Sequence, residues 1–352
     1  MIILRAAVLL VAALLLAACG KEALYQEEGY VFGTRVEVSV YGADDTQARQ
    51  AVAAIMQEFQ RLHELLHAWK PSALSAMNRA FAQGSSVNVT PELEAMLRDA
   101  SQLSQQSGGL FNPAIGGLVS LWGFHGDEFR PVQPDAKRLA ALLAAQPQMQ
   151  DISFNAHSVN GTTATSASSR NRAVQLDLGG YAKGYALDRA AILLKQRGID
   201  NALINIGGNV LALGTHGSRP WRVGIQHPRQ PGPLATLALH DGEAIGTSGD
   251  YQRYFELDGK RYCHLIDPRS GQPAQGVQAV TVLTRGARAG VLSDATSKPV
   301  FIAGVEAWRA AAQQMQLNEV LLIDAAGTAH LTAAMQKRLK FSDTKMIIKV
   351  AQ

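Results

Sequence analysis

An acid, two adjacent glycines, a lysine and a third glycine stand together in the segment Asp177 to Asp188, where an apolar run passes into a helical one. Gln175 and Leu176 read as the end of a strand, and Tyr181 to Arg197 carries helical spacing. Glycine lets backbone approach a ligand closely, and a helix start offers unpaired N–H groups to an anion. Lys183 adds a cation one turn into the helix. The chemistry this combination suits is the holding of a phosphorylated ligand, although the segment follows neither the P-loop nor the G-x-G-x-x-G pattern. A tight strand-to-helix turn is the alternative, which accounts for the glycines and less well for Asp177 and Lys183.

Three more clusters could join it. Ala244 to Tyr251 sets small hydroxyl residues and glycines at a strand end, suited to hydrogen-bonding a ligand. Arg261 to Gly271 holds His264 in a strand, directly before the Asp267-Pro268 turn. A neutral imidazole there can take a proton near neutral pH, or it can be a buried structural histidine. Leu292 to Lys298 puts Asp294 at the start of a helix, with Lys298 one turn later on the same face. His63 and His67 have the spacing of a metal pair but no supporting third ligand, and they read as partly exposed helix residues.

The elements that must position these residues can be read in order. Tyr30 to Tyr41 alternates as a strand. Asp44 opens a long helix, with Gln47 at the reach-back position of a capping box and Ala48, Val52, Ile55, Phe59, Leu62 and Leu66 as its buried stripe. Trp69 to Ser72 breaks that helix, and Ser72 to Asn78 reads as a turn-rich segment. Thr90 and Pro91 start a second helix that stops at Ser107 to Gly109. Leu110 to His125 is a glycine-broken aromatic stretch, either a loop packed on the core or the wall of a planar-ligand pocket. A helix is expected over Asp135 to Ala145, with short strands at Ile152 to Phe154 and Ala173 to Leu176. Ala202 to Ile206 and Val210 to Gly214 form a hairpin, and Trp221 to Val282 is strand after strand. Helices over Ser293 to Ala303 and Val305 to Gln316 precede closing strands at Glu319 to Asp324 and Ala329 to Thr332. Helices and strands neither alternate strictly nor segregate, so the fold class is α+β, with mixed sheets and packed helices.

The N-terminus reads as a targeting segment. Arg5 precedes an apolar stretch, Ala6 to Leu15, that is too short to span a bilayer. Leu16 to Gly20 looks like a bacterial lipobox, which implies cleavage before Cys19 and lipidation of its thiol; an ordinary secretory signal is the alternative. Residues 1–18 are then a lipoprotein signal peptide, 19–28 a tether, and 29–350 the folded domain, held facing the periplasm by acyl chains at a bacterial membrane. With the Cys19 thiol lipidated, Cys263 is the remaining free thiol, so no intramolecular disulfide forms. The 33 lysines and arginines barely exceed the 29 aspartates and glutamates, and no basic run is interleaved with aromatics. Both facts point away from nucleic acid as a partner.

These motifs, in this order, resemble the FAD:protein FMN transferases of the ApbE family over nearly the whole mature length. Asp177 to Asp188 is similar to that family's D-L-G-G-I-A-K-G-Y-A-x-D segment, with Tyr181 at the usual isoleucine, and Ile204 to Asn209 to its N-I-G-G-N turn. Thr247 to Tyr251 and His264 to Gly271 resemble its S-G-x-Y and H-I-I-D-P-x-T-G blocks, and Phe32 to Thr34 and Ser107 to Asn112 its N-terminal pocket segments. The resemblance implies two intertwined lobes and transfer of FMN from FAD to a threonine hydroxyl of a partner flavoprotein, with release of AMP. It places Phe32, Trp69, Leu110, Phe111 and Asn112 against FAD, together with Asp177, Lys183, Ser248 and Gly249. His264 becomes the pyrophosphate-facing base, and Gly180 and Asp294 correspond to magnesium ligands. Lys298 stands where the family has a metal-binding threonine, beside Asp294 in the catalytic set. Asn112 replaces a usual aspartate and Ala73 a usual glutamate, so all three departures make the site more positive. A non-catalytic FAD-binding lipoprotein, or an enzyme hydrolysing FAD with water as acceptor, would use the same residues.

Overall fold

The computed structural model describes residues 24–126, 128–159 and 162–351. The lipobox and Cys19 lie outside them. A nine-stranded sheet forms the centre, in the order β1 (Leu24–Val31), β2 (Thr34–Tyr41), β6 (Ala202–Ile206), β7 (Asn209–Leu213), β10 (Glu243–Gly249), β13 (Val277–Arg285), β14 (Glu319–Asp324), β15 (Ala329–Thr332) and β17 (Ile348–Ala351). Neighbours are antiparallel except β15 and β17. The middle strands are apolar on both faces because both are covered. On β13, Val280 and Val282 enter one core and Ala279 and Leu283 the other. The connection from β2 to β6 carries α1 (Asp45–Leu65), α2 (Ala73–Gln83), β3 (Val87–Val89), α3 (Pro91–Gln106), α4 (Gly116–Leu121), α5 (Ala136–Ala145), β4 (Ile152–Val159), β5 (Thr162–Ser169) and α6 (Ala182–Gln196). The opposite face is covered by β8 (Trp221–Gln226) and β9 (Pro233–Leu239), which pair with β16 (Lys340–Phe341), and by α8 (Ala333–Gln336). A separate hairpin, β11 (Tyr254–Leu257) and β12 (Lys260–Cys263), leads to His264.

Two helices bring the candidate residues together: α6 and α7 (Ala289–Gln314). They cross at a pair of glycines. A Cβ on Gly184 would meet the Gly290 carbonyl oxygen at 2.3 Å, and one on Gly290 would meet the Gly184 oxygen at 2.4 Å. Asp188, at the end of the glycine-lysine segment, accepts the N–H groups of Gly290 and Val291 at 2.7 and 2.9 Å and so caps α7 from the neighbouring helix. Tyr181 is buried, with its hydroxyl donating to Asp99 at 2.8 Å, and Arg288 pairs with the same carboxylate. The tyrosine therefore ties the loop before α6 to α3 and to the start of α7.

Several expectations need correction. The tether is shorter than 19–28, because Leu24 to Glu28 already pair with Tyr41 to Glu37 in β1 and β2. The stretch from Tyr30 to Tyr41 is the end of one strand, a tight turn at Phe32 and Gly33 with positive φ at both, and a second strand. Asp44 caps α1 through the N–H groups of Thr46 and Gln47, but the Gln47 amide donates to the Arg197 carbonyl rather than reaching back. Ser72 to Asn78 is not a turn: Ser72 and Ser75 form a capping box at the start of α2. Ala173 to Leu176 is no strand. It runs beside Pro113 to Gly116 with a single bridge, Ile115 to Gln175. α7 begins at Ala289, ahead of the expected Ser293, and Gly304 at φ 73° separates its two halves.

Candidate functional site

Asp177 is half-buried at the mouth of the glycine turn. Its Oδ1 accepts the Gly179 N–H at 2.8 Å, and its Oδ2 accepts His125 Nε2 at 2.9 Å. Burial works to raise its pKa, but the hydrogen bond and charge of His125, the Gly179 N–H and Arg253 outweigh it and hold the carboxyl below its ordinary range. His125 in turn stacks on Trp69, with ring centres 5.0 Å apart and planes 23° from parallel. The row continues through His67 (4.6 Å), His63 (5.1 Å) and Phe32 (5.7 Å). His67 lies past the end of α1, and its Nδ1 accepts the N–H groups of Trp69 and Lys70. The two histidines are thus part of an aromatic wall. No metal-holding group of three or more His, Cys, Asp or Glu exists among the described residues.

Asp294 is fully buried in α7 and accepts from Lys298 and from the Gly184 N–H. Lys298 Nζ donates to its Oδ1 and, at 2.6 Å, to its main-chain oxygen; the Gly184 N–H donates to Oδ2 at 2.9 Å. Lys183 Nζ lies 3.7 Å from Oδ1 and donates to the Gly179 carbonyl at 3.2 Å. Burial pushes the Asp294 carboxyl up, but Lys183, Lys298 and the Gly184 N–H overcome it, so the group stays ionised. The Lys298 stem runs against Gly180, where a Cβ would stand 3.2 Å from Lys298 Cε and 3.5 Å from the Phe111 ring.

His264 is half-buried opposite these cations. Its Nδ1 lies 3.2 Å from the Arg253 carbonyl, which can only accept, so Nδ1 carries the proton and Nε2 presents a lone pair. Burial, followed by the positive charges of Arg253 and Lys183, drives its pKa down to about 3. The Arg253 guanidinium lies 6.0 Å from the Trp69 ring centre and donates to the Phe124 carbonyl at 2.9 Å.

The residues expected to bind a ligand divide into two groups. Asp177, Gly180, Lys183, His264, Asp294, Lys298 and Phe111 converge, with Trp69 and Phe32 reaching the same cluster through the aromatic row. For the others the contacts lie elsewhere. Asn112 holds its own loop, donating to the Pro147 carbonyl and accepting the Ala114 N–H. Leu110 donates its N–H to the Ser107 carbonyl in the same turn, and the Ser107 hydroxyl accepts the Phe111 N–H. Ser248 is buried against Ser297 at 2.8 Å, bracing the helix turn that carries Asp294, and Gly249 is buried beside the Tyr251 ring. His125 and Arg253 carry no assignment in the sequence reading. His125 sat in the aromatic stretch, where pairing with a distant aspartate leaves no local signal, and Arg253 lies in a loop without periodicity.

The donor set does not fit magnesium. A divalent ion of that kind takes hard oxygen ligands in near-octahedral array. Here one carboxylate oxygen is taken by an ammonium and the other by a backbone N–H. The Thr296 and Ser297 hydroxyls donate to helix carbonyls, at 2.6 Å to Leu292 and 2.8 Å to Asp294.

The model of the ApbE family matches residues 32–322. The chain is 44% identical over 318 residues to the FAD:protein FMN transferase of Rhodobacter capsulatus, covering 89% of this chain and 58% of that protein's length. It is 34% identical to a FAD:protein FMN transferase of Klebsiella pneumoniae, covering 73% of each. Among solved structures, the apo form of the Pseudomonas stutzeri flavinyl transferase ApbE superposes with a TM-score of 0.77 at 27% identity, covering 91% of this chain and 98% of that one.

Proposed function

The chain belongs to the ApbE family, and from that premise we propose that it moves the FMN half of FAD onto a threonine hydroxyl of a partner flavoprotein. In that reaction the hydroxyl oxygen attacks the phosphorus on the FMN side of the pyrophosphate. A P–O bond forms there as the bond from that phosphorus to the bridging oxygen breaks. AMP leaves with the bridging oxygen, and the hydroxyl proton passes to a base. Little covalent work falls to the protein in such a transfer, so positioning and charge stabilisation dominate.

The observation that carries the reading is the geometry of His264: Nδ1 is tied to the Arg253 carbonyl, and the free Nε2 faces a region made positive by Lys183, Lys298 and Arg253. A diphosphate suits that charge, and the aromatic row from Phe32 to His125 suits the planar rings of the ligand. The bound phosphates would raise the His264 pKa toward the range in which a base works well. Asp177 fixes the glycine turn, and Asp294 fixes the two lysines. The lipobox-like run ending at Cys19 supports a further part of the proposal, that the mature protein is held by acyl chains on the periplasmic side of a bacterial membrane.

The test is incubation of the purified protein with FAD and an acceptor domain bearing the target threonine. Covalent flavin fluorescence on the acceptor and an equimolar yield of AMP are expected. AMP without covalent flavin would mean hydrolysis, and neither product would mean binding without chemistry.

A further inference from the structure

The buried carboxylate of Asp294 faces two ammonium groups, and their arrangement is not that of a metal site awaiting its ion. An ammonium has three protons and no acceptor. Lys298 gives two of them to Asp294, one to the main-chain oxygen and one to the carboxylate. The third is left for a partner outside the helix. The lysine is also fixed along its length: its side chain is only 11% exposed, and its stem lies across Gly180, whose carbonyl the family resemblance would give to the metal. One negative charge against Lys298 and Lys183 leaves the pair of helices with a net positive charge before any ion is added. A divalent cation entering there would have to expel a buried ammonium from its counter-ion, and such a separation is strongly unfavourable.

We propose that Lys298 is the resident cation of this site: its ammonium takes the place of a divalent metal at Asp294 and meets the pyrophosphate of FAD with its third proton. The proposal rests on the reading that the chain acts on FAD. It also accounts for the helix hydroxyls. Thr296 and Ser297 are bonded inward, to Leu292 and Asp294, and a site with its own cation needs neither as a ligand.

Metal and FAD are titrated separately into the full chain. Manganese(II) alone, followed by its electron paramagnetic resonance signal, is expected to show no saturable binding to the parent at millimolar concentration, while Lys298→Thr binds it about a hundredfold more tightly. Calorimetry with FAD is expected to give the same affinity for the parent in chelator and in magnesium. In chelator, Lys298→Thr is expected to lose about tenfold or more, and to regain it when magnesium is added. A parent that binds manganese as tightly as Lys298→Thr, or that binds FAD only when magnesium is present, overturns the proposal and leaves the FAD reading standing. A parent that binds FAD under neither condition overturns the FAD reading, and the proposal falls with it. Lys298→Met keeps the stem and removes the charge, so it serves if the threonine variant does not fold. Its FAD affinity in chelator should drop by about tenfold, and an unchanged value overturns the proposal.

Discussion

His264 shows how one residue can be both costly and useful. Its folded pKa lies near 3, driven down by burial and by Arg253, Lys183 and Lys298, while the unfolded chain has the ordinary value of about 6.5. Below that ordinary value the unfolded state binds a proton that the folded state refuses, so protonation favours unfolding. The sign is therefore fixed: stability should fall as pH drops from about 6.5 toward 3, with a contribution from this residue of up to about 1.4 kcal/mol per pH unit. Urea melts of the parent and of His264→Asn across that range check it. The parent should lose stability steadily relative to the variant as acid is added, and parallel curves would show that the imidazole is not held neutral. At neutral pH His264→Ala should keep the fold but lose about two to four orders of magnitude in flavin transfer, the usual loss when a general base is removed. A variant within a few-fold of the parent would assign the base to another group.

At the scale of elements, the junction of α6 and α7 does most to build the site, because it sets Lys183 and Gly184 on one helix against Asp294 and Lys298 on the other. In an open helix Gly→Ala is stabilising by about 1 kcal/mol. At Gly184 the sign should reverse, since the new Cβ would fall 2.3 Å from the Gly290 oxygen and the helices would have to part. Gly184→Ala should destabilise by about 1–3 kcal/mol in urea melts and weaken FAD binding in calorimetry. A stability equal to the parent's would show that the crossing is looser than described. The same junction marks what the sequence makes legible. Local codes are readable: the Asp44 and Thr90 caps, the hairpin of β6 and β7, and the break at Gly304 all follow from residues a few positions apart. Ala173 to Leu176 was misread because its apolar pattern comes from burial beside Pro113 to Gly116, which imitates a strand's pattern without a ladder. The pairing of His125 with Asp177 and the bracing of α7 by Ser248 link positions 52 and 49 residues apart, and no spacing rule reaches across such a distance.

Over the whole molecule, the strand that leaves the N-terminal segment also sets where the site stands relative to the proposed anchor. β1 is an edge strand of the large sheet, running from Leu24, paired with Tyr41, to Val31, paired with Thr34. The Phe32 turn, where the aromatic row of the site begins, is at its far end. Eight strand residues carry the chain about 25 Å. The stretch from Cys19 to Leu24 adds a reach of at most about 17 Å. A lipidated Cys19 would therefore hold the domain close to the bilayer by the end of β1 remote from the Phe32 turn. On that proposal the turn and its aromatic row would be directed away from the lipid. No helix among the described residues is long and apolar enough to cross a membrane. Cys19→Ser should then move the protein from the membrane fraction to the soluble fraction on cell fractionation, and its transfer of flavin to a soluble acceptor should match that of the parent. A variant that stays with the membrane argues against the thiol as the anchor. One that is released but inactive would show that anchor and site are coupled, contrary to their placement at opposite ends of β1.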